Sequence, residues 1–140
     1  MSITDRVEGV VHEETQLHDR GLDLTAAEIH EIDEPGRVDF GGGELTDAEL
    51  SSHELTRRNP DDDYGWWYLD EGGYLLEHNE TLTGDGPLTL QTRDAVRARG
   101  AFHPTITVEE LDPLPFWVGG AGIRLKENAR VSTLLAPDGR

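Results

Sequence analysis

Residues 64–80 read YGWWYLDEGGYLLEHNE, and they decide the fold class. Two apolar runs, Trp66 to Leu69 and Tyr74 to Leu76, enclose Asp70-Glu71-Gly72-Gly73, which predicts two strands joined by a tight connection. Trp66 and Trp67 are expected to pack in the core or at an interface, because large aromatics bury area before they do anything else. Downstream the same signature recurs at short intervals. Gly84-Asp85-Gly86-Pro87 predicts a turn and residues 88–91 a short strand. Residues 101–108 alternate as a strand, Pro113 and Pro115 interrupt, and residues 116–118 form another strand before Gly119-Gly120. Ile123 and Leu125 lead to a turn at Lys126-Glu127-Asn128, and residues 131–135 close the pattern as a last strand. Upstream, Leu22 and Leu24 flank Asp23, and Ile29 and Ile32 recur amid polar residues up to a turn at Pro35-Gly36. Residues 2–18 predict a short helix or an extended arm. Short strands separated by turns this often predict an all-β sandwich or barrel.

At 140 residues the chain is expected to be one domain, 1–140, with residues 37–63 as an acidic surface excursion. That excursion carries Gly41-Gly42-Gly43, Asn59-Pro60 and Asp61-Asp62-Asp63, with at most a short helix or strand within 45–55. The aspartates are read as a solvated loop, because adjacent side chains on extended backbone diverge. Hydrophobic residues are 35% of the chain, so partner subunits are expected to supply part of the burial. Asp and Glu number 29 against 12 Lys and Arg, a net charge of -17, which makes nucleic acid and anionic membranes poor partners. Lys126 is the lone lysine. Acid spread over the whole length with arginine in place of lysine suits a cytoplasm of high salt, where screening removes the self-repulsion. The absence of cysteine excludes a disulfide frame and thiolate metal sites. No stretch reads as a signal peptide or a membrane span, so a cytoplasmic location is expected.

In so acidic a chain, residues 92–104, TRDAVRARGAFHP, stand out by bringing Arg93, Arg97 and Arg99 together. Residues 94–99 predict about one and a half helical turns, with Thr92 or Asp94 as cap and Gly100 as stop. This is the expected place for an anionic ligand. The histidines are scattered, and pairs such as His78 and His103 carry no metal-ligand spacing.

Several pieces, in order, resemble the trimeric dUTPase and dCTP deaminase superfamily, particularly its archaeal branch. Gly21-Leu22-Asp23-Leu24 is similar to the family's first motif. Residues 69–76 with Asn79-Glu80 are similar to the hairpin before its second motif, and residues 93–100 to the second motif itself, Arg-Ser-Ser followed by a short helix and Gly. Residues 129–135 resemble its closing Arg-Ile-Ala-Gln-Leu strand. Leu111-Asp112-Pro113 followed by Phe116 is the counterpart of the third motif, the base-reading hairpin with the catalytic acid.

The resemblance implies a distorted β-barrel or jelly roll, a homotrimer with three shared sites, and a deoxynucleoside triphosphate as ligand. It implies hydrolysis of dUTP to dUMP and pyrophosphate with Mg²⁺, with Asp112 orienting the attacking water and Asp23 at the metal. Arg93, Asp94, Arg97, Gly100, Phe116, Arg130 and Thr133 fall at the substrate-binding positions. The chain also departs from the pattern. Asp94 and Ala95 replace the phosphate-binding serines, and a carboxylate there repels phosphate. Thr133 replaces the glutamine, and no glycine-rich arm follows Pro137-Asp138-Gly139-Arg140. Deamination is the weaker expectation, because the stretch between Asp112 and the Glu127-Asn128 turn is too short to include the strand that carries its glutamate. The alternative to an active dUTPase is a degenerate homotrimer of the same fold that binds a nucleotide without turnover, or serves structure or regulation alone.

Overall fold

The computed structural model describes residues 2–137. The expectation about the C-terminal arm therefore falls partly outside the described residues. A 3₁₀ turn, Ile3–Arg6, opens the chain, followed by β1 (Val7–Glu8), helix α1 (Glu13–Gln16) and β2 (Leu17–His18). Then come β3 (Gly21–Glu34), β4 (Glu49–Ser52), β5 (Trp66–Leu69), β6 (Gly72–His78), β7 (Thr81–Leu82) and β8 (Leu88–Thr92). After helix α2 (Asp94–Arg97) follow β9 (Ala101–Phe102), β10 (Ile106–Val108), β11 (Leu114–Val118), β12 (Ile123–Lys126) and β13 (Arg130–Leu135). A curled half-barrel sheet runs β10-β8-β13-β3-β6-β11-β9, with β2 and β4 also on β3, and β1-β7 and β12-β5 as separate pairs. The all-β expectation holds.

β3 is the spine. Its first six residues are buried, so this half is covered on both faces: Leu22, Leu24 and Ala26 enter the apolar core, while Asp23 and Thr25 point to the opposite side. It pairs with β13 along Gly21–Thr25 and then with β6 from Ala26 onward, with register shifts at Ala26/Glu28 and at Arg130/Ser132. Such irregularities bend a strand and let it change neighbours. At the entry Gly21 has φ 156°, and a Cβ there would collide with the Leu134 carbonyl oxygen, so only glycine lets β3 lie this close to β13. Leu22, Leu24, Ile29, Leu76, Leu90, Phe116 and Leu134 are fully buried. Each such side chain contributes roughly 1.5–3 kcal/mol relative to exposure.

Several connections differ from expectation. β5 and β6 do not pair with each other: β5 pairs with β12, and β6 lies between β3 and β11. Asp70 and its neighbours thus make a corner between sheets, closed by a hydrogen bond from Tyr74 Oη to the Asp70 carbonyl (2.8 Å). Residues 101–108 form two strands, with β9 on β11 and β10 on β8, separated around Pro104. Pro115 lies within β11, tolerated because β9 reaches only Trp117 and Val118 and leaves the proline on an unpaired edge. The N-terminal segment is not an arm. Arg6 is buried and donates from Nε to the Thr83 carbonyl (2.6 Å) and from Nη2 to that of Gly86 (2.7 Å). Within the excursion 37–63, β4 is a strand exposed at every residue and paired with the outer half of β3.

Candidate functional site

The polar side of β3 meets β13, the β2–β3 turn and the start of α2 at a cleft of about 380 Å³, lined by His18, Asp19, Arg20, Asp23, Arg93, Asp94, Ala95 and Thr133. Its size falls within the roughly 300–1,000 Å³ typical of small-molecule sites. Asp23 lies at its base, 3% exposed. Its Oδ1 accepts from Thr133 Oγ1 (2.8 Å) and His18 Nε2 (2.8 Å). Its Oδ2 accepts from Arg130 Nη1 (3.2 Å) and lies 3.5 Å from Arg93 Nε. His18 Nδ1 accepts from the Arg20 backbone N–H (3.3 Å), which fixes Nε2 as the protonated nitrogen facing Asp23.

The two guanidinium groups are further fixed by backbone. Arg93 Nη1 donates to the Arg130 carbonyl (3.2 Å), and Arg130 Nη1 also donates to the Thr15 carbonyl (3.1 Å). The Arg93 backbone N–H donates to the Val131 carbonyl (2.9 Å), so α2 starts against β13. Burial, reinforced by the charge of Arg130, lowers the Arg93 pKa from its very high ordinary value, and the side chain stays cationic.

Beneath the cleft the buried Glu80 carboxylate accepts from the Thr25 N–H (3.0 Å), Thr25 Oγ1 (2.7 Å) and Gln16 Nε2 (2.9 Å). Gln16 Nε2 also donates to the Asp23 carbonyl (2.9 Å). This network holds α1 on β3 and aims the following residues, His18 and Arg20, at the cleft. At the mouth, Asp94 Oδ2 accepts from Arg20 Nη1 (2.6 Å), and Arg97 Nη1 lies 3.2 Å from Oδ1. The hydrogen bond from Arg20, with help from Arg97, holds the Asp94 carboxyl below its ordinary value. Arg99 instead donates to the Ala95 carbonyl (2.8 Å).

Asp23, Arg93, Asp94 and Thr133 therefore share one cleft, with Arg130 joined through Asp23 and Arg97 through Asp94. The other expected residues lie elsewhere. Gly100 ends α2 with φ 91° and donates its N–H to the Arg97 carbonyl (3.0 Å), a helix-stop geometry. Phe116 is fully buried in the core, one of the inward residues of β11 with Leu114 and Val118, and contacts no cleft. Asp112 is exposed beside a separate hollow of about 120 Å³ formed with Leu90, Ile106, Val108 and Leu111. His18, Asp19 and Arg20 are the cleft residues that sequence reasoning missed. Their signal was adjacency to Gly21-Leu22-Asp23, at the foot of the β2–β3 turn.

The residues do not fit a protein-held Mg²⁺. Both Asp23 oxygens already face donors, two of them guanidinium cations, and among the described residues no group of three or more His, Asp or Glu could hold a metal. Asp23 aligns Arg93 and Arg130 instead.

No protein-family model matches the chain. It is 30% identical to a probable deoxyuridine 5'-triphosphate nucleotidohydrolase of Methanosarcina mazei and 32% identical to one of Methanosarcina acetivorans, in each case over 92% of this chain and 76% of the relative. A relative of the same description from Methanococcoides burtonii is 36% identical over 54% of this chain and 41% of its own length. Taken with the curled all-β sheet, these relatives make the chain a member of the dUTPase superfamily.

Proposed function

We propose that the cleft binds the triphosphate of dUTP, delivered as its Mg²⁺ complex, and that the protein hydrolyses it to dUMP and pyrophosphate. The observation that carries this reading is the pair Arg93 and Arg130, set side by side by one buried carboxylate in a protein of net charge -17. Fixed guanidinium groups aimed at a polyphosphate bind it and stabilise the charge that grows on the departing pyrophosphate. Water adds to the α-phosphorus, the bond to the bridging oxygen of the β-phosphate breaks, and the water's proton passes to a base. Asp112 fills that role from a neighbouring copy, because within one chain it lies outside the cleft. A homotrimer supplies such a neighbour. Phe102 and Trp117, directly opposed across β9 and β11 and about half exposed, offer apolar surface for it.

A second reading, binding without turnover, is favoured by the negative charge of Asp94 at the mouth of the cleft. One experiment separates the two. The protein is incubated with dUTP or dCTP in molar KCl with Mg²⁺, and pyrophosphate and ammonia are followed. Pyrophosphate from dUTP without ammonia supports hydrolysis, and a thermal shift without either product supports binding alone. Neither product and no shift overturns both.

A further inference from the structure

Arg20 and Arg97 approach Asp94 from two sides of the cleft mouth, although Arg20 lies 74 residues away in sequence. The Arg20–Asp94 pair is about half exposed on each partner, so water screens it and its rupture costs little. Each guanidinium spends only one side on the carboxylate. Among the described residues neither Arg20 nor Arg97 pairs with any other acidic side chain. A carboxylate held between two guanidinium groups has the charge and the paired oxygens of a phosphate group, and it lines the same cleft as Arg93.

Resting on the reading of this cleft as a triphosphate site, we propose that Arg20 is a further phosphate-binding residue and that Asp94 is an internal stand-in, which an incoming polyphosphate displaces from Arg20 and Arg97. Binding is then an exchange of anions. Asp94 keeps the arginines in place while the cleft is empty, and its competition for them lowers the affinity. Simple neutralisation, with Arg20 touching only Asp94, is the competing account.

Isothermal titration with inorganic tripolyphosphate, and separately with dUTP, distinguishes them at fixed salt. The proteins are the wild type, Arg20→Gln, Asp94→Asn and the double variant, with melting curves verifying that each is folded. Exchange predicts that Asp94→Asn tightens tripolyphosphate about tenfold and that adding Arg20→Gln to it loosens binding by about tenfold again, the scale of one charge-assisted hydrogen bond. A double variant that binds as tightly as Asp94→Asn overturns the role of Arg20. An Asp94→Asn protein no tighter than wild type overturns the exchange. If the titrations behave as expected and dUTP is not turned over, the phosphate assignment stands and hydrolysis fails. If no protein in the set binds either ligand, the cleft reading fails and takes this proposal with it.

Discussion

Asp23 and Arg130 meet at 3.2 Å across the β3–β13 pair, and the same carboxylate reaches Arg93 at 3.5 Å. One buried charge thus fixes the distance between two cations, one on β13 and one at the start of α2. Asp23→Asn keeps the shape and removes the charge, leaving the guanidinium groups to repel each other. The expected loss is on the order of 2 kcal/mol, below the roughly 3–5 kcal/mol of a fully buried pair, because the arginine side chains remain 29% and 31% exposed. Urea unfolding at high KCl measures it. An unchanged midpoint would show that the carboxylate does not organise the pair.

Metal removal gives an independent check on the same residue. With Asp23 occupied by Thr133, His18 and two arginines, EDTA is expected to leave the melting temperature of the ligand-free protein unchanged. The stabilisation added by dUTP should fall when Mg²⁺ is withdrawn, because the metal travels with the nucleotide. A drop in the ligand-free melting temperature on adding EDTA would point to a protein-held ion.

Behind the cleft, Ser132 Oγ lies 2.7 Å from both His78 Nε2 and His103 Nε2. His103 Nδ1 donates to the Pro104 carbonyl (2.8 Å), so its Nε2 accepts from Ser132, and His78 Nε2–H donates to Ser132. The chain of bonds needs at least one ring neutral, and a proton added to His78 goes to Nδ1, which is buried without a partner. Burial, with the neighbouring His103, lowers the His78 pKa to about 4, and burial lowers that of His103. The unfolded chain takes up these protons near pH 6.5, before the folded one does. The stability is therefore complete above pH 6.5 and is lost as pH falls toward 4. For His78 the loss is on the order of 3 kcal/mol. His78→Gln should flatten the fall in urea stability between pH 7.5 and 4.5 relative to wild type. Parallel curves would refute the assignment.

The sequence carried most of the strands and less of their partnerships. β13 and the turn at Asn128 were legible from alternation and from a residue that accepts the observed φ of 65°. The apparent hairpin of β5 and β6 was not, because a short polar connection announces a reversal without naming the strand that will pair. Phe116 looked like a ligand contact when taken with Asp112-Pro113, although its alternation with Leu114 and Val118 already marked it as core. Asp23 and Arg93 were visible as motif residues. The clasp of Arg20 on Asp94 was not, since no local pattern reports a contact between distant turns.

The separation of Asp112 from the cleft makes a prediction about assembly. Arg93→Gln and Asp112→Asn should each lose at least about a hundredfold in kcat, the first by weakening transition-state charge stabilisation and the second by removing the base. If Asp112 serves a neighbour's cleft, the two inactive proteins, mixed, unfolded and refolded together, form some sites with Arg93 from one chain and Asp112 from another. Random assortment at equal amounts restores about a quarter of the sites. Recovery near that level, with light scattering showing a trimer, establishes the shared site. A mixture as inactive as its parents, in a trimer shown to have exchanged subunits, would mean that Arg93 and Asp112 act within one chain or not together at all.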